Sequence, residues 1–539
     1  MKKLLEVNTI RKDRRKVKLR FALCYPNTYM VGMSSLGIRL LYALINLRED
    51  VACERFFYEP GKVPRSVESG FKLSEFEVIG VSLQFEEDYV RFIEMILNSG
   101  VPLKRWERGE RDPIVVAGGI CAVENPQPLS DFVDVFVIGD GEALIDRILD
   151  ICIEERDRET RIEALSNLEG FYVPAYTEGK VKRVWCKNIN EMFHPTSQVL
   201  PAGDSSPVMP VFGRSILLEV ARGCEKGCRF CLIGFCNRPK RIRSGRVLEE
   251  IVERGVKESA TKKVTLIAPS LSEHPNITEL CWNMVNSGLE ISLPSLSIDV
   301  ISDELLNALV KGGQRTVTIA PETGTEELRK KINKPFSDDE IISAADTILE
   351  QKLNLKMYFI VGLPFEKEED VEGIVKIVSR ISKLRRGTSV KVSVNPFVPK
   401  PHTPFAWAPQ QSQMVLKEKM KKVRSFLRKE SVVFEGMDPR KAAIEAILSL
   451  GGRELGEIIE LATLYGGGFG AWRRALREKT TNLEDLSKFR SMDAEQPWEV
   501  IDVGVSRKFL IKEWYKAVDG VQTPPYSCCD QCGVCYTID

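Results

Sequence analysis

Histidine is scarce in this chain, with three among 539 residues, and neither sign of charge is in excess: 77 lysines and arginines stand against 76 aspartates and glutamates. A balance this close to zero provides no global field to hold a nucleic-acid backbone or an anionic membrane surface, so no nucleic-acid partner is expected. Apolar runs of membrane-spanning length are missing too, and the opening Met1-Lys2-Lys3-Leu4-Leu5 returns to charge at Glu6 without an apolar core of signal-peptide length. These absences predict a cytoplasmic protein with no membrane span. Nor is there a compositional sign of disorder, because 43% of the residues are apolar and the 28 prolines are well spread. The length suffices for three or four ordinary domains.

Cysteine is present in a very uneven pattern. Of 14, Cys224, Cys228 and Cys231 fall within eight residues, Cys528, Cys529, Cys532 and Cys535 fall within another eight, and seven are scattered singly. In a reducing compartment such clustering points to metal rather than to disulfides. The scattered seven read as small buried hydrophobes.

From Lys18 apolar strands alternate with amphipathic helices: Leu19 to Cys24, a helix after Gly32, then Val78 to Leu83, Ile114 to Ala117, and Val133 to Ile138 before a helix from Glu142. That rhythm predicts an α/β domain over residues 1–160, a doubly wound parallel sheet covered on both faces. Gly118-Gly119 and Gly139-Asp140-Gly141-Glu142 sit where two strands should end. The carboxyl ends of such strands form the ligand crevice, so these glycines would let backbone approach a large cofactor closely, although each pair alone is also plain turn chemistry. Residues 161–212, with Pro174, Pro195, Pro201, Pro207 and Pro210, read as a bridging segment. Over 213–410 six further strands recur, at Ile216 to Val220, Val264 to Ile267, Ile291 to Leu293, Thr316 to Ile319, Lys356 to Val361 and Val390 to Val394. They predict a partial (β/α)6 barrel with its chemistry at the strands' carboxyl ends. One of its helices opens with a capping box at Ser337 and Glu340. Residues 411–539 read as mainly helical with a cysteine-rich tail, and the basic stretch Lys417 to Lys429 as a solvated helix face.

The segment Glu219-Val220-Ala221-Arg222-Gly223-Cys224-Glu225-Lys226-Gly227-Cys228-Arg229-Phe230-Cys231 places three thiolates at spacings of four and three on the loop leaving the first barrel strand. Structural zinc wants four ligands, which Cys236 could complete, whereas a cluster with one iron left free can bind and activate a substrate. The Cys-x-x-x-Cys-x-x-Cys spacing with an aromatic residue before the last cysteine resembles the radical S-adenosylmethionine superfamily. That resemblance implies a 4Fe-4S cluster on Cys224, Cys228 and Cys231. It also implies S-adenosylmethionine on the fourth iron, cleaved to a 5′-deoxyadenosyl radical, with Phe230 near the adenine. Arg238-Pro239-Lys240-Arg241-Ile242-Arg243 supplies cations that could meet the methionine carboxylate or a substrate anion, or form a surface turn. The family's Gly-Gly-Glu is replaced by Ala268-Pro269-Ser270-Leu271-Ser272-Glu273. Glu322, in Ala320-Pro321-Glu322-Thr323-Gly324-Thr325, is placed to accept from the amino group or ribose. Tyr358-Phe359-Ile360-Val361-Gly362-Leu363-Pro364 resembles the adenine-contacting strand and turn, which makes Gly362 and Pro364 candidate contacts. Asn395-Pro396-Phe397-Val398-Pro399-Lys400-Pro401-His402-Thr403-Pro404-Phe405 resembles the end of the catalytic domain in the branch carrying an N-terminal cobalamin domain. The resemblance covers roughly residues 215–408.

A doubly wound domain directly before this barrel is similar to a cobalamin-binding domain, with Tyr25, Asn27, Ser82, Gln84, Gly118, Gly119, Gly139, Asp140, Gly141 and Glu142 as candidate contacts. No Asp-x-His-x-x-Gly is present, and His194, His274 and His402 all lie outside the domain, so none of its histidines could ligate cobalt from below. The terminal Cys528, Cys529, Cys532 and Cys535 imply an auxiliary iron-sulfur cluster, a zinc knuckle or a redox pair. Taken together the resemblance implies a cobalamin-dependent radical methylase of an unactivated carbon, in a small molecule, peptide or protein side chain. Such an enzyme would be fed by a reductant such as ferredoxin or flavodoxin. Cyclisation, carbon-carbon coupling or methylthiolation, or a non-catalytic iron-sulfur or cobalamin sensor, are the alternatives.

Overall fold

The computed structural model describes residues 5–204, 206, 208–271, 274–384, 387–480, 488–525 and 532–534. The N-terminal sheet is built from β1 (Leu19–Tyr25), β2 (Val51–Phe57), β3 (Val78–Ser82), β4 (Ile114–Gly118), β5 (Val135–Val137) and β6 (Phe171–Tyr172). Its order is β2-β1-β3-β4-β5-β6, with the first five parallel and β6 antiparallel. Every residue of β2 and β3 is buried, as expected of parallel strands covered on both faces. Period-two alternation assigns the two faces: Phe21, Leu23 and Tyr25 join the apolar cluster of helices Leu36–Leu47 and Gly141–Glu154, while Ala22 and Cys24 join that of helix Asp88–Leu97. The chain reverses winding between β1 and β3, so the crevice at their carboxyl ends is the natural ligand edge. Helix Arg158–Ser166 runs across the expected boundary at 160, and strand β6 completes this domain from within the stretch assigned by sequence to the bridging segment. Two residues are too few to display a strand's alternation.

The second unit carries β7 (Ile216–Glu219), β8 (Lys263–Ile267), β9 (Glu290–Ser292), β10 (Thr316–Glu322), β11 (Asn354–Val361), β12 (Val390–Pro396) and β13 (Val433–Glu435). Two parallel ladders, β7-β8-β9 and β10-β11-β12-β13, form the arc. Between them the side chain of Gln314 does the joining: its Oε1 accepts from Leu293 N–H at 2.8 Å, and its Nε2 donates to the carbonyls of Leu293 and Thr316 at 3.0 and 2.9 Å. The six strands read from the sequence are all present, and the capping box at Ser337 forms as expected. Strand β13 is an addition to the stretch beyond 410, which reads from sequence as mainly helical. It is three residues long, and Lys356 and Lys391 hold it in place through Glu435.

The helices Gln413–Lys429, Pro439–Leu450, Leu455–Leu464, Phe469–Glu478 and Arg507–Asp519 complete the chain. In the first, Leu416, Met420, Val423 and Leu427 are buried while the basic residues, apart from Lys419 half-buried against Glu366, line the opposite, solvated face. Leu455, Ile458, Ile459 and Trp472 share one apolar cluster with Phe92, Ile93 and Ile96 of the N-terminal domain. The carboxy-terminal helices therefore supply the layer that closes one face of the N-terminal sheet. Among the seven scattered cysteines, Cys24, Cys53, Cys121, Cys152, Cys236 and Cys281 are buried and Cys186 is half-buried.

Candidate active site at the mouth of the barrel

The three-cysteine loop leaves β7 and is bracketed by a short antiparallel pair, Ala221–Arg222 with Arg241–Ile242. Gly223 turns it in the left-handed region, at φ 79°, where a Cβ would come within 2.3 Å of the Asn237 carbonyl. Cys224, Cys228 and Cys231 are all half-buried. Burial pushes the Cys228 thiol up to about 12 and raises that of Cys231, toward which the amides of Gly234 and Ile233 donate. A metal bound here expels those thiol protons. Cys236, the possible fourth zinc ligand, is fully buried in the apolar cluster that also holds Phe235 and Trp407. Three half-buried cysteines at the carboxyl end of a barrel strand, one of them with amides donating to its sulfur, fit a cluster with an open iron.

Lys334 and Glu322 border this loop. Glu322 ends β10 with φ 69°, and its carboxylate accepts from Lys334 Nζ at 2.7 Å. Burial alone would lower the lysine's pKa, but Glu322 and Cys228 more than offset it and hold the ammonium charged. Glu322 is thus already engaged by a cation that the sequence did not single out. Phe230 packs against the cluster of Leu328, Ile332, Leu363, Phe397 and Phe405. The amide of Gly362 donates to Glu366 at 2.8 Å, and Pro364 follows it in the same turn. Of Ala268 to Glu273, the last two residues lie outside the described residues.

Arg238, Arg241 and Arg243 are buried rather than forming a surface turn, and Arg222 of the paired strand joins Arg241 and Arg243 in a network of ion pairs. Arg222 contacts Asp140 at 3.1 Å, Glu142 at 2.7 Å and Glu219 at 2.8 Å, Arg241 contacts Asp140 at 2.7 Å, and Arg243 contacts Glu219 at 3.1 Å. Asp140 and Glu142 therefore clasp the cysteine loop to the N-terminal sheet, and two of the cations expected to meet a bound anion, Arg241 and Arg243, hold carboxylates of their own chain. The glycines of that edge have a similar explanation. A Cβ on Gly119 would lie 2.3 Å from the Leu83 carbonyl, and one on Gly139 would lie 1.9 Å from that of Val184. The close approach they allow is that of neighbouring backbone. Gly118 accepts from Leu83 N–H at 2.8 Å, and Gly141 opens helix Gly141–Glu154. Asn27 donates to Asp88 at 2.9 Å and Gln84 to Ser82 at 3.0 Å. Tyr25 is buried, its hydroxyl pushed up to about 12 by desolvation. All of these stand at the carboxyl ends of β1, β3, β4 and β5. Cys528, Cys529 and Cys535 lie outside the described residues, while Cys532 is buried and its carbonyl accepts from Ser506 N–H at 2.8 Å.

Two buried histidines make the assembly acid-sensitive. His194 Nε2 accepts from the Glu219 N–H at 3.2 Å, just before the cysteine loop, and His402 contacts the Glu124 carbonyl at 3.1 Å. Burial pushes both down to about 4 from an ordinary 6.5. The unfolded chain takes up these protons near 6.5 and the folded chain only near 4, so the stability they contribute is complete above 6.5 and is lost as pH falls toward 4. The loss amounts to about 3 kcal/mol per histidine by pH 4. Urea unfolding followed from pH 7 to 4.5 should show it, and His402→Gln should flatten the slope.

Comparison with known proteins adds a lineage to this geometry. Residues 37–174 match the family model described as radical SAM proteins, N-terminal, and residues 218–400 match that of the radical SAM superfamily. The uncharacterized protein MJ0966 of Methanocaldococcus jannaschii is 32% identical over 442 residues, covering 81% of this chain and 90% of that protein. The uncharacterized methyltransferase PH0819 of Pyrococcus horikoshii is 26% identical over 261 residues, 46% of this chain and 53% of that protein. Among solved structures, that of the radical S-adenosylmethionine methyltransferase TsrM from Kitasatospora setae, with cobalamin and a 4Fe-4S cluster bound, aligns with a TM-score of 0.51 at 13% identity. The alignment covers 72% of this chain and 77% of that one.

Proposed function

The chain belongs to the radical S-adenosylmethionine superfamily, and from that premise we propose that it is a cobalamin-dependent enzyme that methylates an unactivated carbon. The observation that carries the reading is the clasp of Asp140 and Glu142 onto Arg222 and Arg241. It holds the three-cysteine loop against the carboxyl edge of the doubly wound sheet, so that two edges suited to two different cofactors face one crevice. When bound, the cluster supplies the electron that splits S-adenosylmethionine and cobalamin carries the methyl group. Cys224, Cys228 and Cys231 would hold the cluster by three of its irons, leaving the fourth for the methionine end of the nucleoside. Lys334 sets a buried positive charge beside Cys228, which favours the thiolate form. Phe230, half-buried in its apolar cluster, offers the adenine a rigid face. The N-terminal domain has no histidine, so a cobalamin held there would receive no imidazole from this domain. A protein side chain is the proposed substrate, met in solution, since no described helix is long and apolar enough to cross a membrane.

Anaerobic reconstitution with S-adenosylmethionine, methylcobalamin and a reductant, against a host proteome, tests this. The expected result is a mass gain of one methylene unit on one acceptor. S-adenosylhomocysteine and 5′-deoxyadenosine should accumulate in equal amounts, because one nucleoside donates the methyl group and a second the radical. Product formation that proceeds without cobalamin would overturn the methylase reading in favour of a coupling or methylthiolation enzyme. An absence of 5′-deoxyadenosine would overturn the catalytic one.

A further inference from the structure

A second group of chemically active side chains lies away from the cysteine loop, where the N-terminal sheet meets the loop after β12 and helix Pro439–Leu450. Glu86 follows β3, Cys121 and Glu124 lie on the short helix after β4, and Lys400 belongs to the segment that resembled the end of the catalytic domain. Glu86, Cys121 and Glu124 are 4%, 1% and 2% exposed. The Lys400 ammonium has three protons and three partners: the Glu86 carboxylate, Glu445 Oε1 at 2.9 Å and the Ser449 hydroxyl at 3.0 Å. It stays 3.7 Å from Glu124 Oε1, beyond hydrogen-bond reach, and that oxygen accepts no hydrogen bond among the described residues. Glu86 and Glu124 are buried and Glu445 half-buried around one saturated ammonium, and burial pushes the Glu124 carboxyl well above its ordinary value, so its ionised form is costly there without a cation of its own. One donor atom from each of Glu86, Cys121 and Glu124 lies within 4.8 Å of the other two.

We propose that Glu86, Cys121 and Glu124 form a second metal site, for a divalent ion that accepts thiolate and carboxylate together, Zn2+ or Fe2+. One sulfur and two oxygens make up the donor set. The sulfur disfavours Mg2+ and Ca2+, and the two carboxylates disfavour Cu(I). The ion would neutralise the charge that Lys400 leaves over and give Glu124 Oε1 its partner. Burial and the two glutamates hold the Cys121 sulfur as a thiol. Uptake of the ion is therefore an exchange in which the metal–sulfur bond forms as the thiol proton leaves to solvent, and affinity rises with pH. Outer support is in place, since His402 contacts the Glu124 backbone carbonyl and the Tyr89 hydroxyl bonds to the Cys121 sulfur. All three ligands belong to the N-terminal domain, but Lys400 and Glu445 bring the barrel and the carboxy-terminal helices to them. The ion would brace the three parts at the crevice.

The test uses full-length protein with its iron-sulfur content reconstituted, then exposed to Co2+ and desalted. Cobalt and iron are counted by plasma mass spectrometry, and thiolate-to-cobalt absorption is taken as a difference spectrum. The expected result is one metal ion fewer, cobalt and non-sulfide-associated iron summed, in Cys121→Ser and in the isosteric Glu124→Gln than in wild type, with equal acid-labile sulfide in all three. The thiolate band should be weaker in Cys121→Ser than in wild type, leaving a positive wild-type-minus-variant difference. Equal cobalt plus iron in all three proteins would overturn the site. So would an infrared carbonyl stretch of a protonated carboxylic acid that persists with Co2+ and disappears in Glu124→Gln, because a proton would then be doing the neutralising. Acid-labile sulfide and S-adenosylmethionine cleavage report separately on the cluster reading.

Discussion

Cys228→Ser is expected to lower 5′-deoxyadenosine formation under strong reductant by on the order of a thousandfold or more, since chemistry that depends on a positioned cofactor collapses without it. Serine is a poor ligand for iron, and two remaining thiolates leave a cluster with two open corners. The loop itself should persist, because Arg229 N–H donates to the Ile332 carbonyl at 3.1 Å and Asn333 bonds to the carbonyls of Lys226 and Gly227 at 3.0 and 3.3 Å, none of which needs the sulfur. Thermal unfolding should therefore change far less than iron content. Cys236→Ser separates cluster from zinc. Cys236 sits in an apolar layer, so a hydroxyl there should cost about 1–3 kcal/mol of stability while leaving iron and cleavage in place. If Cys236→Ser instead emptied the site as fully as Cys228→Ser, four sulfurs would be closing a tetrahedron.

How much of this was legible beforehand follows from the range of each signal. The strands Val78–Ser82 and Ile114–Gly118 announced themselves because a parallel strand buried on both faces must be apolar throughout, and the capping box at Ser337 is local in sequence. Strand β6 and strand β13 were not legible, since two or three residues carry no periodicity and their partners are distant in sequence. Cys224, Cys228 and Cys231 stood out by spacing alone. Lys334, by contrast, is one lysine among many until β10 and the turn at Asn333 bring its ammonium to Glu322. Gly139 and Gly119 were visible as glycines, but whether backbone or cofactor approached them depended on Val184 and Leu83. Asp140 and Glu142 were visible as carboxylates, yet their engagement by Arg222 spans about eighty residues of chain. What remained hidden is pairing of charge across domains, which has no period and no fixed spacing.

Glu513→Ala is expected to lower stability by about 3–5 kcal/mol and to loosen the cluster, although Glu513 lies far along the chain from any cysteine of the loop. Arg229 stands between Cys228 and Cys231, is fully buried, and directs Nε and Nη2 to Glu513 Oε2 at 3.2 and 3.1 Å. Its other bonds run to the carbonyls of Lys331 at 2.8 Å and Val521 at 2.7 Å. Thr523 closes the circuit, donating its hydroxyl to Glu513 at 2.7 Å and its N–H to Asn333 at 2.8 Å, while Asn333 holds the loop carbonyls. The helix Arg507–Asp519 and the segment after it therefore grip the cysteine loop from behind. Truncating Glu513 strands a buried guanidinium, and the cheapest relief is for the loop to swing Arg229 toward water, which drags two iron ligands with it. Glu513→Gln keeps an accepting oxygen for Arg229 and should retain most of the iron, with a loss nearer 1–2 kcal/mol. Iron retained after gel filtration, the rate of cluster bleaching in air and the midpoint of thermal unfolding check the pair. If bleaching matches wild type in Glu513→Ala while stability falls, the helix supports the fold without steering the loop.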